Sequence, residues 1–198
     1  MKEVKRHGSS LMKVDRKTAD LHRRQIVDAA GRLYRRHGPA GVSLAEVMRE
    51  AGLTHGGFYG HFDSKDELVG TAAETALDAA TARLNAAADA AGPAAWNAVA
   101  AAYLSPEHRE DCERGCAIAA LAGDVARMPE SVQARFVSGL GRYLHAAERL
   151  TGSRDQALAD VALMAGAIAM ARAVGKADSA LGDEILAAAR KTIAKRGR

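Results

Sequence analysis

The stretch that decides the fold is Ala51–Leu68, AGLTHGGFYGHFDSKDEL, in which three glycines interrupt a pattern otherwise typical of short helices. Gly56, Gly57 and Gly60 lie within ten residues of one another. Each glycine in a helix interior costs about 1 kcal/mol relative to alanine. Because the chain uses alanine freely elsewhere, we infer that the glycines serve something other than helix stability.

The large residues between these glycines fall on two faces of a helix. Phe58 and Phe62 are four positions apart and share a face, which we expect to pack inward against the preceding helix. His55 and Tyr59 share a different face, on which the neighbouring glycines present no side chain. The pattern predicts a helix whose main chain lies close to the phosphates and bases of a DNA duplex.

Capping signals upstream define a second short helix and the turn between the two. Ser43 and Glu46 have the spacing of a capping box, so a helix is expected over 44–51. Gly52 suits a left-handed turn, and Thr54 is expected to cap the following helix. Two short helices joined by a tight glycine turn are typical of the helix-turn-helix, whose second helix enters the major groove.

The positive charge of the chain is concentrated near its N-terminus. Residues 1–65 hold 13 Lys/Arg and 7 Asp/Glu, a net charge of +6, whereas the remaining residues hold 15 and 17, a net charge of −2. A basic segment on a near-neutral body indicates a nucleic-acid-binding head. The charge alone also fits a solvated basic surface.

Apolar periodicity predicts an all-α fold of about nine helices, beginning with a helix over 18–37. Further helices are expected over 64–90, 94–104, 115–126, 130–150, 154–175 and 179–195. We predict a flexible basic arm over 1–16, a three-helix DNA-binding domain with a helix-turn-helix over 17–65, and a larger ligand-binding and dimerisation domain over 66–198.

Several classes of protein are disfavoured by what the sequence does not contain. No apolar run approaches the roughly 18 residues of a membrane span, and no signal peptide is visible, so a cytoplasmic protein without a membrane partner is expected. No nucleophile motif, dinucleotide fingerprint, P-loop or zinc-protease motif occurs. We therefore expect no enzymatic activity and no cofactor.

A family resemblance is carried by YRRHG at 34–38, by Gly41 and Ser43, and by A-G-L-T-x-G-x-F-Y-x-H-F-x-x-K-x-x-L over 51–68. This ordered set resembles the DNA-binding domain of the tetracycline-repressor (TetR) family over about residues 20–68. The resemblance implies a homodimeric transcriptional regulator, most often a repressor that a small-molecule ligand releases from a palindromic operator.

The same resemblance implies a set of DNA-contacting residues. They are Ser43, Thr54, His55, Gly56, Gly57, Tyr59, His61 and Lys65. His55 and the Gly56-Gly57 backbone are expected nearest the base edges, with Tyr59, His61 and Lys65 at phosphates. A structural histidine at His61 and a freely solvated lysine at Lys65 are the alternatives.

A regulator of this kind needs a ligand cavity and a dimer interface. The candidate pocket residues are Trp96, Tyr103, Cys116, Leu121, Met128, Phe136 and Tyr143, which alternatively fill gaps in the core. The segment 162–170 is apolar nearly all round, so we expect it to pack both inside the subunit and against a partner. The predicted dimer interface is a four-helix bundle that includes Met164, Ile168, Ile185 and Leu186.

The chain has two cysteines, Cys112 and Cys116, so a disulfide scaffold is excluded. Nearby arginines and a helix expected to begin near Cys116 would favour the thiolate, so the alternative function is a thiol-based regulator that responds to oxidants or electrophiles. The competing interpretation is an ordinary buried cysteine. His108, Cys112 and Cys116 have helical spacing for metal ligands, but Gly115 argues against an uninterrupted helix, so no metal site is expected.

Overall fold

Nine α-helices account for most of residues 16–196, the part of the chain that the computed structural model describes. They are α1 (Arg16–His37), α2 (Leu44–Glu50), α3 (Lys65–Ala91), α4 (Ala95–Tyr103), α5 (Pro106–Glu110), α6 (Ala117–Val125), α7 (Glu130–Thr151), α8 (Arg154–Val174) and α9 (Ser179–Arg196). Two short 3₁₀ helices complete the order: His55–Gly60 after α2, and Gly92–Ala94 between α3 and α4. No strand occurs within residues 16–196.

The all-α prediction is confirmed, with two local differences. The short helix α5 was not predicted; Pro106 is its first residue, and Ser105 caps it. The second helix of the helix-turn-helix is a six-residue 3₁₀ helix rather than an α-helix, which agrees with the low helix propensity of its three glycines. The predicted basic arm falls almost entirely outside the described residues.

The turn that precedes this 3₁₀ helix forms as its residues dictate. Ser43 and Glu46 make the complete capping box at the start of α2. Gly52 has a φ of 72°, the left-handed conformation that glycine adopts at little cost. The chain therefore reverses directly after α2 and presents His55–Gly60 beside it.

Two buried apolar clusters hold the helices together. The first joins α1, α2 and the His55–Gly60 helix to the N-terminal half of α3, to α6 and to the start of α7. The second joins the C-terminal half of α3 to α4, α7, α8 and α9. The first cluster contains residues from both sides of the predicted domain boundary at residue 65, such as Phe62 and Leu68, so that boundary lies inside an apolar core.

The second cluster contains a small polar network around Asp160. The Asp160 carboxylate is completely buried and accepts a hydrogen bond from Trp96 Nε1 at 2.9 Å. Its other oxygen lies 3.0 Å from Arg196 Nη1. This network ties α4 and the end of α9 to α8.

Helix α8 is long and apolar enough to cross a membrane, judged by length and composition alone, which the absence of an unbroken apolar run did not indicate. Of its most apolar 18-residue window, 44% is buried inside the fold. The buried share packs in the second cluster, as expected for a core helix of a helical bundle.

Candidate nucleic-acid interface and internal cavity

One side of the His55–Gly60 helix is exposed, and its other side packs into the first cluster. The Phe58 side chain is fully buried in the first cluster, and Phe62 packs against it with ring centroids 5.8 Å apart. Tyr59, by contrast, is 69% exposed, and Thr54 and His55 are exposed beside it. The inward packing predicted for Phe58 and Phe62 is confirmed.

The glycines of this segment are not required by the fold of the subunit. Gly56 and Gly60 would each accept a Cβ without any heavy atom within 4 Å, and at Gly57 the nearest atom, Met48 Cε, lies at an ordinary 3.8 Å. None of the three has a positive φ. Neither crowding nor backbone conformation within the described chain accounts for glycine at these positions.

Thr54 precedes the 3₁₀ helix in an extended conformation, but its side chain makes no capping hydrogen bond. The predicted cap is therefore wrong in this respect. The exposed Thr54 hydroxyl is left available to another molecule.

Ser43 is already engaged within its own helix. Glu46 Oε2 accepts hydrogen bonds from Ser43 N at 2.8 Å and from Ser43 Oγ at 2.7 Å. These bonds lower the pKa of the Glu46 carboxyl, so it is ionised near neutral pH. A phosphate contact from Ser43 would require Glu46 to move aside, because its carboxylate already occupies both donors.

Lys65 is not freely solvated, because its side chain makes a hydrogen bond within the subunit. Its Nζ donates to the Val42 carbonyl at 2.6 Å, and the residue is half-buried. This bond ties the start of α3 to the residue before Ser43. It explains a cation in the first turn of a helix, where the helix dipole disfavours one, and it leaves two ammonium protons for further bonds.

His61 faces α1 rather than the exposed surface. Its ring lies 6.0 Å from the His22 ring in an edge-on arrangement, and its carbonyl accepts a hydrogen bond from Arg23. Burial lowers the pKa of His61, with further lowering from the charges of His22 and Arg23. The imidazole is therefore mostly neutral near pH 7 and brings no full positive charge to the surface.

A second feature of interest is a cavity of about 440 Å³ inside the larger bundle. Residues of α3, α4, α6 and α7 line it, together with part of the segment 104–116, which we call the strap. The lining side chains are apolar apart from Arg83, Tyr103, His108, Arg114, Cys116 and Tyr143. The volume and the mixture of an apolar wall with a few polar groups are typical of small-molecule sites.

The structure brings three of the seven predicted pocket residues together in this cavity: Tyr103, Cys116 and Tyr143. The other four lie elsewhere. Leu121, Met128 and Phe136 pack in the first cluster. Trp96 is buried in the second cluster, where its indole is committed to Asp160. Periodicity identifies buried large residues but does not tell a cavity wall from a filled core.

The two cysteines have different surroundings. Cys116 lines the cavity at the start of α6, as predicted, whereas Cys112 lies outside it with Sγ 3.8 Å from the Arg109 carbonyl. Both are free thiols. Helix α5 ends at Glu110, so His108, Cys112 and Cys116 do not share a helix, and no group of metal-ligating side chains occurs among residues 16–196.

The strap is bonded to helix α1, a contact that sequence patterns did not indicate. Arg35, near the end of α1, donates from Nε to the Glu113 carbonyl at 2.7 Å and also from Nη2. Arg36 Nη1 lies 2.6 Å from Glu113 Oε1. Burial lowers the pKa of Arg35, so this guanidinium depends on the carbonyl for compensation.

The strap is also bonded to the last two helices. Arg172 of α8 donates from Nε to the Arg109 carbonyl at 3.0 Å, and Arg190 of α9 donates to the Leu104 carbonyl at 2.8 Å. Arg109 itself pairs with Asp183 of α9 at 2.7 Å. One wall of the cavity is thus held between α1 on one side and α8 and α9 on the other.

The residues predicted for a dimer interface need correction. Met164, Ile168 and Leu186 are buried by their own chain, and Ile185 is half-buried. The side of α8 that remains uncovered instead carries small and apolar residues, among them Leu158, Ala159, Ala162, Ala169, Met170 and Ala173. The helix is apolar on both sides, so the sequence pattern did not identify which side the subunit itself covers.

Comparison with known proteins links the exposed glycine segment to a described domain. The family model for bacterial regulatory proteins of the tetR family matches residues 26–72. Two curated relatives from Pseudomonas putida, the HTH-type transcriptional regulator TtgR and the probable HTH-type transcriptional regulator ArpR, are each 45% identical over 47 residues. That match covers 24% of this chain and 22% of each relative, about a fifth of their length.

Solved structures share the fold over most of the chain. The reduced form of Escherichia coli NemR aligns with a TM-score of 0.74 at 19% identity, covering 88% of this chain and 96% of that one. A TetR transcriptional regulator from Chloroflexus aurantiacus J-10-FL aligns with a TM-score of 0.71 at 22% identity, covering 90% and 95%. At these identities the likeness concerns the arrangement of the helices.

Proposed function

Because this chain belongs to the TetR family of bacterial regulatory proteins, we propose that it is a homodimeric transcriptional repressor that a small molecule releases from a palindromic operator. The domain division at residue 65, with DNA binding in 17–65 and ligand binding and dimerisation in 66–198, is part of this proposal. So is a cytoplasmic location, where a regulator meets the chromosome.

The observation that carries the proposal is the exposed glycine surface. Gly56 and Gly60 have open space around them and ordinary backbone angles. Alanine would therefore be tolerated by the subunit and would favour the folded state. Contact with a DNA duplex would explain the glycines, because a main chain without Cβ atoms approaches phosphates and base edges closely.

The proposed DNA contacts follow from exposure. Thr54, His55 and the Gly56-Gly57 backbone would lie at the base edges, with Tyr59 at a phosphate. Lys65 would add a phosphate contact with the ammonium protons left free by Val42. His61 and Ser43 would contribute only after rearrangement, because both are engaged inside the subunit.

The proposed partner in the dimer is a second copy of this chain. The uncovered side of α8 carries alanines and Met170, and its neighbour α9 exposes Leu181 and Ala188. Small residues allow helices to approach closely, so two copies of α8 and α9 would form a four-helix bundle. The two-fold axis would set the two copies of the His55–Gly60 helix, which we call the recognition segments, about 34 Å apart, one turn of the duplex, or a multiple of that distance.

The proposed route from ligand to DNA runs through the strap. A ligand in the cavity would press on His108 and Gly115, while Glu113 of the same strap holds Arg35 at the end of α1. Movement of the strap would therefore tilt α1 and change the spacing of the two recognition segments. Release by such a change requires that the ligand favour one arrangement over the other.

A second candidate, favoured by the position of Cys116 in the cavity wall beside Tyr103 and Tyr143, is regulation through thiol modification by an oxidant or electrophile. Loss of DNA binding after peroxide or an electrophile would support it. Loss that persists in the Cys112→Ser/Cys116→Ser double variant would exclude it.

The proposed function predicts selective, salt-sensitive DNA binding. From a randomised duplex library the protein should select a sequence with two-fold symmetry. Affinity for that sequence should fall by at least about a thousandfold between about 50 and 200 mM salt, because several phosphate contacts release counterions. Fluorescence anisotropy with the selected duplex measures both effects.

Matched variants assign this binding to the recognition segment. Tyr59→Ala should weaken binding by about tenfold, the loss of one good contact per half-site. Val137→Ala, which removes a similarly exposed apolar side chain from α7, should leave affinity unchanged. Equal affinity for the selected duplex and for random DNA would overturn the proposal.

A further inference from the structure

The polar groups of the cavity carry one sign of charge. Arg83 and Arg114 line it, and no aspartate or glutamate does. The nearest acidic residue of the strap, Asp111, pairs loosely with Arg114, with 3.8 Å between Oδ2 and Nε, and lies outside the lining. Because Arg83 is exposed and the Arg114 side chain is 86% exposed, this positive charge lies at the solvent-accessible part of the cavity.

Arg83 has no partner for its charge. It is exposed where it lines the cavity, and it makes no hydrogen bond or ion pair with the residues described from 16 to 196, whereas its cavity neighbour Arg114 has Asp111. A guanidinium carries five donors in a planar fork suited to a carboxylate or similar anion. In the cavity that fork is unoccupied by protein.

Tyr143 supplies a second unpartnered donor. The residue is 5% exposed, lines the cavity, and its hydroxyl makes no hydrogen bond to residues 16–196. Among residues 16–196 the fully buried hydroxyl without a partner is that of Tyr34, whereas the Tyr143 hydroxyl stays accessible and can donate to a molecule in the cavity. Burial raises the pKa of Tyr143, which keeps the hydroxyl protonated and able to donate.

His108 contributes an acceptor rather than a charge. Its Nδ1 lies 2.6 Å from the Tyr103 carbonyl and must donate to it. Burial lowers the pKa of His108, so near pH 7 the ring is neutral and its Nε2 carries a lone pair. The positive charge available to a ligand therefore comes from the two arginines.

We propose that the cavity binds an apolar organic anion, whose carboxylate or equivalent acidic head accepts hydrogen bonds from Arg83 and Tyr143. The apolar body lies against Leu77, Leu84 and Val99, which belong to the apolar part of the lining. This inference rests on the proposed function in naming the chemical class of its ligand. It concerns binding alone and is tested without DNA.

Two dyes with one aromatic body test the class of ligand. Anilinonaphthalenesulfonate carries an acidic head that phenylnaphthylamine lacks, and both fluoresce when they enter an apolar site. The full-length protein should bind the anionic dye at least about tenfold more tightly than the neutral one, the effect of one charge-assisted hydrogen bond.

Three variants test which side chains cause the preference for the anionic dye. Arg83→Met should remove the tenfold preference while changing the affinity for the neutral dye less than about twofold, and Tyr143→Phe should weaken only the anionic dye by about threefold. Arg127→Met, which removes an exposed arginine paired only with Asp124, is the control for net charge and should change neither affinity.

Competition separates the anion from other amphiphiles. Octanoate, octanol and octylamine share a chain and differ in head group, so displacement of the anionic dye should follow the order carboxylate, alcohol, amine. Equal binding of both dyes, an unchanged preference in Arg83→Met, or displacement led by the amine would each overturn the inference. None of these results depends on whether the protein binds an operator.

Discussion

Gly56→Ala is expected to stabilise the subunit and to weaken its binding to DNA. The alanine Cβ meets no heavy atom within 4 Å and the backbone needs no positive φ, so the folded state should gain about 0.5 kcal/mol from the reduced freedom of the unfolded chain. On a duplex the same methyl group would separate the main chain from the base edges in both half-sites. Affinity should fall by at least about tenfold.

The matched control is Gly141→Ala on α7. Gly141 is also exposed and also has open space for a Cβ, but it lies in the larger bundle, away from the recognition segment. It should stabilise the protein by about 0.5–1 kcal/mol with no change in DNA affinity. Urea denaturation and fluorescence anisotropy measure the two effects. Unchanged affinity in Gly56→Ala would show that the glycine does not mark a contact with DNA.

Arg35→Met is expected to separate ligand binding from DNA release. The substitution keeps an apolar stem but removes both donors to the Glu113 carbonyl, the bond between α1 and the strap. Allosteric coupling energies are typically about 1–3 kcal/mol. If the bond carries most of this energy, the concentration of anilinonaphthalenesulfonate that releases DNA should rise by about tenfold or more.

The controls for Arg35→Met are the two separate affinities and a neighbouring variant. Affinity for the dye without DNA, and for DNA without the dye, should each change by less than about threefold. Arg36→Met removes only an exposed ion pair with Glu113, which contributes little, so release should stay near the wild-type concentration. If the dye released DNA from Arg35→Met at the wild-type concentration, the bond between α1 and the strap would not carry the signal from the cavity to the DNA.

Local signals in the sequence predicted the parts of the structure that depend on near neighbours. The capping box at Ser43, the left-handed Gly52 and the inward Phe58 and Phe62 all follow from residues within four positions. The same signals predicted the succession of helices. Short-range physical chemistry determines these features, so one sequence is enough to derive them.

The missed features depend on residues far apart in the chain. Arg35 and Glu113 are 78 positions apart, and Trp96 and Asp160 are 64 apart. Arg83 is an exposed arginine whose place in the cavity lining depends on the fold. No periodic pattern records such pairs, since they arise only when α1 packs against the strap and α4 against α8.

The dimer prediction shows a related limit of hydrophobic patterning. Residues 162–170 are apolar on every side, from which the sequence predicts burial both inside the subunit and against a partner, and burial against a partner stays a prediction. It did not distinguish Met164 and Ile168, which the subunit buries, from Ala162 and Met170, which it leaves uncovered. Both faces are equally apolar, so only packing tells them apart.

The most direct test of the central claim is amide hydrogen exchange of the backbone at residues 54–60, with and without the selected duplex. If the main chain of this segment lies flush against DNA, exchange at His55, Gly56 and Gly57 should slow by at least about tenfold on binding, while exchange around Gly141 stays unchanged. Exchange at His55–Gly57 that is equally fast with saturating duplex present would contradict the account.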